Sequence, residues 1–150
     1  MLIFDITNET DVKVPKDFFQ KYVDKLYRLL NVKIDNDLLG RDGTIDLVLT
    51  DDKTVQALNR EYRGINKPTD VISFAYLEVT EYEKEKGDII VGDIFISADT
   101  AKKQAKKKKH SLKKELAILF VHGLLHLFGF DHQSKKQEAE MEKWAKKLLS

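Results

Sequence analysis

Cysteine is absent from this 150-residue chain, which excludes disulfides and thiolate ligands and leaves any bound metal to histidine nitrogens or to oxygens. That usage suits a reducing cytoplasm. No apolar run is long enough to span a bilayer: the longest, Leu116 to Phe130, is broken by His122 and His126 and falls short of the roughly 20 residues that a spanning helix needs. The amino-terminal stretch MLIFDITNETDVKVP has neither a basic leader nor an apolar core followed by small residues. No secretory signal is therefore expected, and the chain reads as soluble and cytoplasmic, with no membrane partner. Neither sign of charge dominates, since the formal net charge is +1. No internal repeat and no interdomain linker divides the sequence. Its length and a hydrophobic content of 42% predict one domain over residues 1–150 with a sizeable core.

Hydrophobic periodicity outlines the elements. Leu2 to Thr7 reads as a strand, and Pro15 opens a helix with Phe18, Tyr22, Leu26 and Leu29 along one face. Gly40 to Gly43 forms a turn, and Thr44 to Thr50 alternates Ile45, Leu47 and Leu49 with Thr44, Asp46 and Val48 as a half-buried strand does. A helix from Asp51 or Asp52 to Gly64 turns Val55, Leu58 and Tyr62 inward. Asp70 to Tyr76 is a third strand, Glu78 to Asp88 an exposed acidic loop, and Ile89 to Ser97 a fourth strand interrupted by Gly92. Helices through Ala98, Ala101 and Ala105, from Leu112 to Phe128, and from Lys135 to Leu149 complete the chain. Ser134 and Gln137 form a capping box for the last, whose stripe is Met141, Trp144, Ala145 and Leu148. The expected class is α+β: a small mixed four-stranded sheet packed with about five helices.

Positive charge is nevertheless segregated. Lys102, Lys103, Lys106, Lys107, Lys108, Lys109, Lys113 and Lys114 lead directly into the helix that follows. Such a run is commonly a solvated face, yet its position would deliver a polyanion close to whatever that helix carries. His110, alone after the lysines, reads as a surface residue.

What the helix carries is the run from His122 to His132. His122 and His126 are one helical turn apart and share a face. Gly129 can adopt the left-handed conformation that ends the helix, so that Phe130 and Asp131 return His132 towards the other two. Three neutral nitrogen ligands leave a fourth tetrahedral position open, which is the pattern of a catalytic zinc rather than a closed structural one. Asp131 either orients an imidazole or stabilises the turn. The spacing is similar to the metzincin protease pattern H-E-x-x-H-x-x-G-x-x-H, except that Gly123 stands where that pattern has its glutamate base. Peptide hydrolysis is therefore not expected, whereas a substrate with a better leaving group is still open to metal-assisted attack.

A second constellation runs from Leu58 to Phe74, LNREYRGINKPTDVISF, and a third is Gly92-Asp93-Ile94. With the histidine run, these resemble the YbeY family, whose signatures are L-N-x-x-Y-R-x-x-x-K-P-T-[DN]-V-[LI]-S-F, G-D-[IV] and H-G-x-L-H-L-x-G-[YF]-D-H. All three occur in order, and together they span essentially the whole chain. Two positions depart from the commonest form: Phe130 in place of tyrosine, and Ala75 where proline often follows Ser-Phe.

The resemblance implies a zincin-like helix and a metal-dependent, single-strand-directed endoribonuclease that matures the 3′ end of 16S ribosomal RNA and serves ribosome quality control. In that reading one zinc ion (Zn2+) is held by His122, His126 and His132, and Arg63 stabilises charge on the transferring phosphoryl group. Partners would be ribosomal RNA and the small ribosomal subunit or its assembly factors, with no DNA expected. Two alternatives stay open at this point: a metal-dependent hydrolase of another substrate, and a ribosome-associated binding protein in which zinc mainly stabilises the fold. Lys67, Thr69, Asp70 and Asp93 are near the motifs but are not assigned as ligands.

Overall fold

Four short segments with two-residue alternation pair into one sheet. The computed structural model describes residues 1–77 and 87–150, so the expected acidic loop, apart from Gly87 and Asp88, lies outside the described residues. Strands β1 (Leu2–Asn8), β2 (Gly43–Thr50), β3 (Val71–Ala75) and β4 (Ile89–Ser97) lie in the order β1-β2-β4-β3. The first three neighbours run parallel and β3 closes the edge antiparallel to β4, giving the mixed α+β sheet that the alternating elements predicted. Gly92 does not break β4. The register slips by one residue between Thr44 and Ile45, a bulge that β4 absorbs while remaining paired.

Five helices accompany the sheet: α1 (Lys16–Asp37), α2 (Asp52–Arg63), α3 (Ala98–Lys108), α4 (Leu112–Leu127) and α5 (Lys135–Leu149). Four of the five starts have a side-chain cap. Asp51, Ser97, Ser111 and Ser134 accept the backbone N–H three residues on, which caps α2, α3, α4 and α5. The Gln137 side chain accepts from the Gln133 N–H at 3.2 Å, one residue earlier than a reciprocal capping box requires. Gly64, at φ 72°, ends α2 in the left-handed conformation.

Two expected faces are corrected. In α1 the buried residues are Phe19, Tyr22, Val23, Leu26 and Ile34, while Leu29 is 41% exposed. The helix departs from helical geometry at Leu30, φ −125°, and this kink carries the apolar stripe past Leu29 to Ile34. In α2 the buried pair is Val55 and Asn59, and Tyr62 is 61% exposed. Its ring still meets Phe74 edge-on at 5.1 Å, so it covers the outer side of the sheet without being enclosed.

Phe4 of β1, Phe19 of α1 and Phe120 of α4 meet at centroid separations of 5.4 and 5.1 Å, fixing both helices on one face of the sheet. Helix α4 is apolar almost all round, with Leu116, Phe120, Val121, Leu124 and Leu125 fully buried, because α3, α1, α5 and the strands β3 and β4 surround it. Apart from the buried Glu115, its few polar side chains mark the part of its circumference that the fold leaves open.

Candidate active site

Close approach of α4 to the sheet begins at Gly123. A Cβ there would lie 2.8 Å from Ile94 Cγ2 and 3.0 Å from Ser73 Oγ, and those two residues face each other across β3 and β4. The glycine at the protease-glutamate position is thus a packing residue on the buried side of the helix. A glutamate would collide with those two residues, which explains the departure from the metzincin pattern in steric terms.

Beside Gly123 on the same stretch of helix, His122 and His126 open into a cleft of about 620 Å³. Two stretches distant in sequence supply most of its walls. From α4 come Ile118, Leu119, His122 and His126; from the turn after it Asp131 and His132; and from the α2–β3 region Arg63, Thr69, Asp70, Val71 and Ser73. All four residues expected to carry the chemistry therefore line one cavity. Lys108, at the end of α3, lines it as well.

The turn after α4 forms as the sequence anticipated. Gly129 takes φ +90°, and the Phe130 N–H donates back to the Leu125 carbonyl at 3.2 Å. This brings the His126 and His132 rings to 5.3 Å between centroids. Ligand atoms of His126, Asp131 and His132 all lie within 4.8 Å of one another. His122 is not in that group; it is exposed and sits one turn earlier along the same wall. Asp131 accepts from the His132 backbone N–H at 2.7 Å and lies 3.5 Å from the His132 ring nitrogen Nδ1, so it holds the turn and faces the imidazole at once. Burial, then the nearby His132, pushes the His126 imidazole below its usual range against the opposing pull of Asp131. Neutral imidazole is the form that binds metal. Imidazoles converging with a carboxylate, with no sulfur available, are donors that fit zinc.

Arg63 is the last residue of α2, exposed and directed to the cleft. The loop behind it is pinned by buried Asn59, whose Nδ2 donates to the Lys67 carbonyl at 2.9 Å. Asp70 is likewise tied down: its Oδ1 accepts from the Val71 N–H at 2.7 Å and its Oδ2 from Gln104 Nε2 at 3.2 Å. Asp93 belongs elsewhere. It faces the outer side of the sheet, opposite Asp46 and beyond it Asp5, and accepts from the Tyr76 hydroxyl at 3.1 Å.

One expectation is overturned outside the histidine run. His110 is not a solvated residue: its side chain is 16% exposed and its Nε2 lies 2.6 Å from the carboxylate of Glu115, which has no exposure at all. Charge density hid this pair in the sequence. The available signal was spacing, since Glu115 precedes His122 by seven residues and so shares its face of α4.

Among the described residues no helix is long and apolar enough to cross a membrane. The solution structure of TM1509 from Thermotoga maritima superposes with a TM-score of 0.60, covering 97% of this chain and 89% of that one at 22% identity, and so shares the fold. Curated relatives named Endoribonuclease YbeY include those of Oceanobacillus iheyensis, 41% identical over 81% of this chain and 82% of the relative, and Bacillus licheniformis, 39% identical over 99% and 94%. The Bacillus subtilis relative is 36% identical over the same shares, 99% and 94%. A family model described as Endoribonuclease YbeY matches residues 5–150, and with two of its three signature segments lining one cleft, this chain belongs to that family.

Proposed function

We propose that this chain is a zinc-dependent endoribonuclease specific for single-stranded RNA, acting on the 3′ end of 16S ribosomal RNA and in ribosome quality control. The observation that carries the reading is the joint placement of Arg63 with His122, His126 and His132 in one cleft, although α2 and α4 are separated by two strands and another helix.

In this reading His122, His126 and His132 hold one zinc ion, with the exposed His122 side chain turning towards the other two and Asp131 steadying His132. Zinc, when bound, supplies Lewis acidity towards a phosphoryl oxygen. The protein's own groups do the rest. Arg63 presents a permanently ionised, planar fork to the phosphate and opposes the charge that grows as the phosphodiester is broken. Ile118 and Leu119 give the cleft an apolar wall that lowers the local dielectric and strengthens that pairing. Selectivity for one ribosomal site then comes from the small subunit or its assembly factors, because residues 1–150 contain no recognisable RNA-binding module. The reaction belongs in the cytoplasm, where that substrate is assembled.

The test pairs elemental analysis with cleavage. Purified protein should carry about one zinc per chain and cut single-stranded precursor RNA. Arg63→Ala should retain the metal and the melting temperature yet lose cleavage by a factor of about 10²–10³. Full cleavage by Arg63→Ala would remove that residue from the reaction. A metal-loaded wild type that cuts no RNA would leave only a structural role for the ion.

A further inference from the structure

Among the described residues Glu115 is the one charged side chain that is fully buried. It stands in the first turns of α4, where the helix dipole favours a carboxylate. Dipole alone does not balance the desolvation of an ionised carboxylate, which amounts to several kcal/mol and demands a close partner. The fold supplies two. His110 Nε2 lies 2.6 Å from Oε1, and Lys108 Nζ reaches Oε1 and Oε2 at 3.3 and 3.2 Å.

The turn between α3 and α4 is what brings both partners to the same carboxylate. Lys108 is the last residue of α3; Lys109 adopts a left-handed φ of 58°, and the His110 N–H donates back to the Ala105 carbonyl at 3.1 Å. The chain reverses within three residues, and Ser111 caps α4. A left-handed conformation on a lysine, where glycine is the usual choice, shows that the geometry of this turn is maintained at some cost.

Lys108 differs from the other paired lysines of the basic segment. Lys102 approaches Asp11, which is 91% exposed, and Lys103 approaches Asp52 at 3.9 Å; both are surface pairs of small consequence. Lys108 is tied to a carboxylate with no exposure, while its own side chain is 51% exposed and lines the cleft with Arg63 and His122. An ammonium carries three donors and no acceptor. The two Glu115 oxygens take up one side of it and leave the other towards solvent and the cleft.

We propose that Lys108 is a phosphate-binding residue of the cleft, and that buried Glu115, itself braced by His110, is the positioning residue that holds it there. The ligand is a backbone phosphate of single-stranded RNA next to the scissile one. Glu115 stands seven residues, about 10 Å along the helix axis, from His122, so Lys108 serves a neighbouring phosphate and leaves the scissile group to Arg63. The inference rests on the nuclease reading for the identity of the polymer, but its test does not require cleavage.

Binding of a fluorescein-labelled, ten-nucleotide single-stranded RNA is followed by polarisation at several salt concentrations, beside steady-state cleavage of the same RNA and of a dinucleotide. Lys108→Ala should weaken binding and raise KM for the decamer about tenfold, with kcat within twofold. It should also reduce the slope of log Kd against log salt by about 0.7, the share of one phosphate on a single strand. Cleavage of the dinucleotide, which offers only the scissile phosphate, should fall far less than cleavage of the decamer. Lys108→Arg should restore binding, and Glu115→Gln should shift KM in the same direction as Lys108→Ala. If Glu115→Gln does not fold, the half-exposed Lys108 variants decide alone. An unchanged affinity and salt slope in Lys108→Ala overturns the proposal, as does a fall in kcat with KM unaltered, or a wild type that binds no RNA. Wild type that binds RNA with the predicted Lys108 dependence but cuts none would instead retire the nuclease reading and leave the phosphate site standing.

Discussion

Replacing Gly123 by alanine tests whether the contact between α4 and the sheet sets the position of the histidines. In an exposed helix the change would stabilise by about 1 kcal/mol, because alanine has far less backbone freedom to lose. Here the added methyl would sit 2.8 Å from Ile94 Cγ2 and 3.0 Å from Ser73 Oγ, closer than packed atoms come. Relief requires the helix to lift or Ile94 to leave its rotamer. Overpacking of this kind costs about 2–3 kcal/mol against the gain of about 1, for a net loss of about 1–2 kcal/mol. In a chain of this size that lowers the melting temperature by about 2–8 °C. Urea denaturation at fixed zinc would measure it, and a double-mutant cycle with Ile94→Ala would locate it. Removing the isoleucine Cγ2 makes room for the methyl, so the double variant should lose at least about 0.5 kcal/mol less than the two single losses added together. A Gly123→Ala protein as stable as the parent, or additive with Ile94→Ala, would refute the steric account of why this position is not the proteases' glutamate.

Removal of metal with a chelator should lower the melting temperature and abolish RNA cleavage; zinc returned at a hundred times its Kd should restore about 2.7 kcal/mol, and a calorimetric scan before and after readdition checks it. Asn59→Ala leaves the Lys67 carbonyl without its 2.9 Å donor and should cost about 1–3 kcal/mol in denaturant, with a larger loss of cleavage than of zinc, because the slackened loop follows Arg63. Asp46 is held above the usual carboxylate range first by partial burial, then by Asp93 and Asp5. A raised folded-state value means that the ionised form works against folding, so this penalty is present at neutral pH and fades as pH falls below the carboxylate range. Asp46→Asn should therefore raise stability at pH 7 by less than about 1 kcal/mol, given its exposure, and should give no gain at pH 3; melting curves across that interval decide it.

Where local chemistry decided the structure, the sequence could be read directly. Caps at Asp51 and Ser134, the helix ends at Gly64 and Gly129, and two-residue alternation in β2 are interactions between near neighbours. The misread faces of α1 and α2 depend on partners elsewhere. Leu29 has the spacing of a core residue, and only the departure at Leu30 turns it outward. Tyr62 was placed inward because its spacing from Val55 and Leu58 fits a buried stripe, yet at that end α2 overhangs the edge strand β3. The histidine run was legible for the same local reason, being one helix and one turn. Arg63 was legible only through resemblance, since nothing in its surroundings in sequence ties it to residues beyond β4. Glu115 and His110 were hidden by their lysine neighbours, which imply solvent on every side of a segment that in fact encloses a carboxylate.

The topology explains why those distant residues meet. Reversal of the edge strand puts the start of β3, and with it the loop that follows Arg63, beside the carboxyl-terminal end of β4 and the first half of α4. Val71 and Ser73 then form the wall opposite His122. The width of the cleft is fixed by how closely α4 approaches that wall, and Gly123, between His122 and the helix's buried side, sets the approach. A single missing side chain thus relates the histidine run to the arginine. It follows that Gly123→Ala should impair cleavage more than its loss of stability accounts for, measured at a temperature where both proteins are fully folded. It should do so while leaving zinc content unchanged, because the histidines move together on one helix and one turn whereas Arg63 stays with the sheet. Equal loss of metal and activity would place the damage within the histidine cluster instead and break the link between helix approach and cleft width.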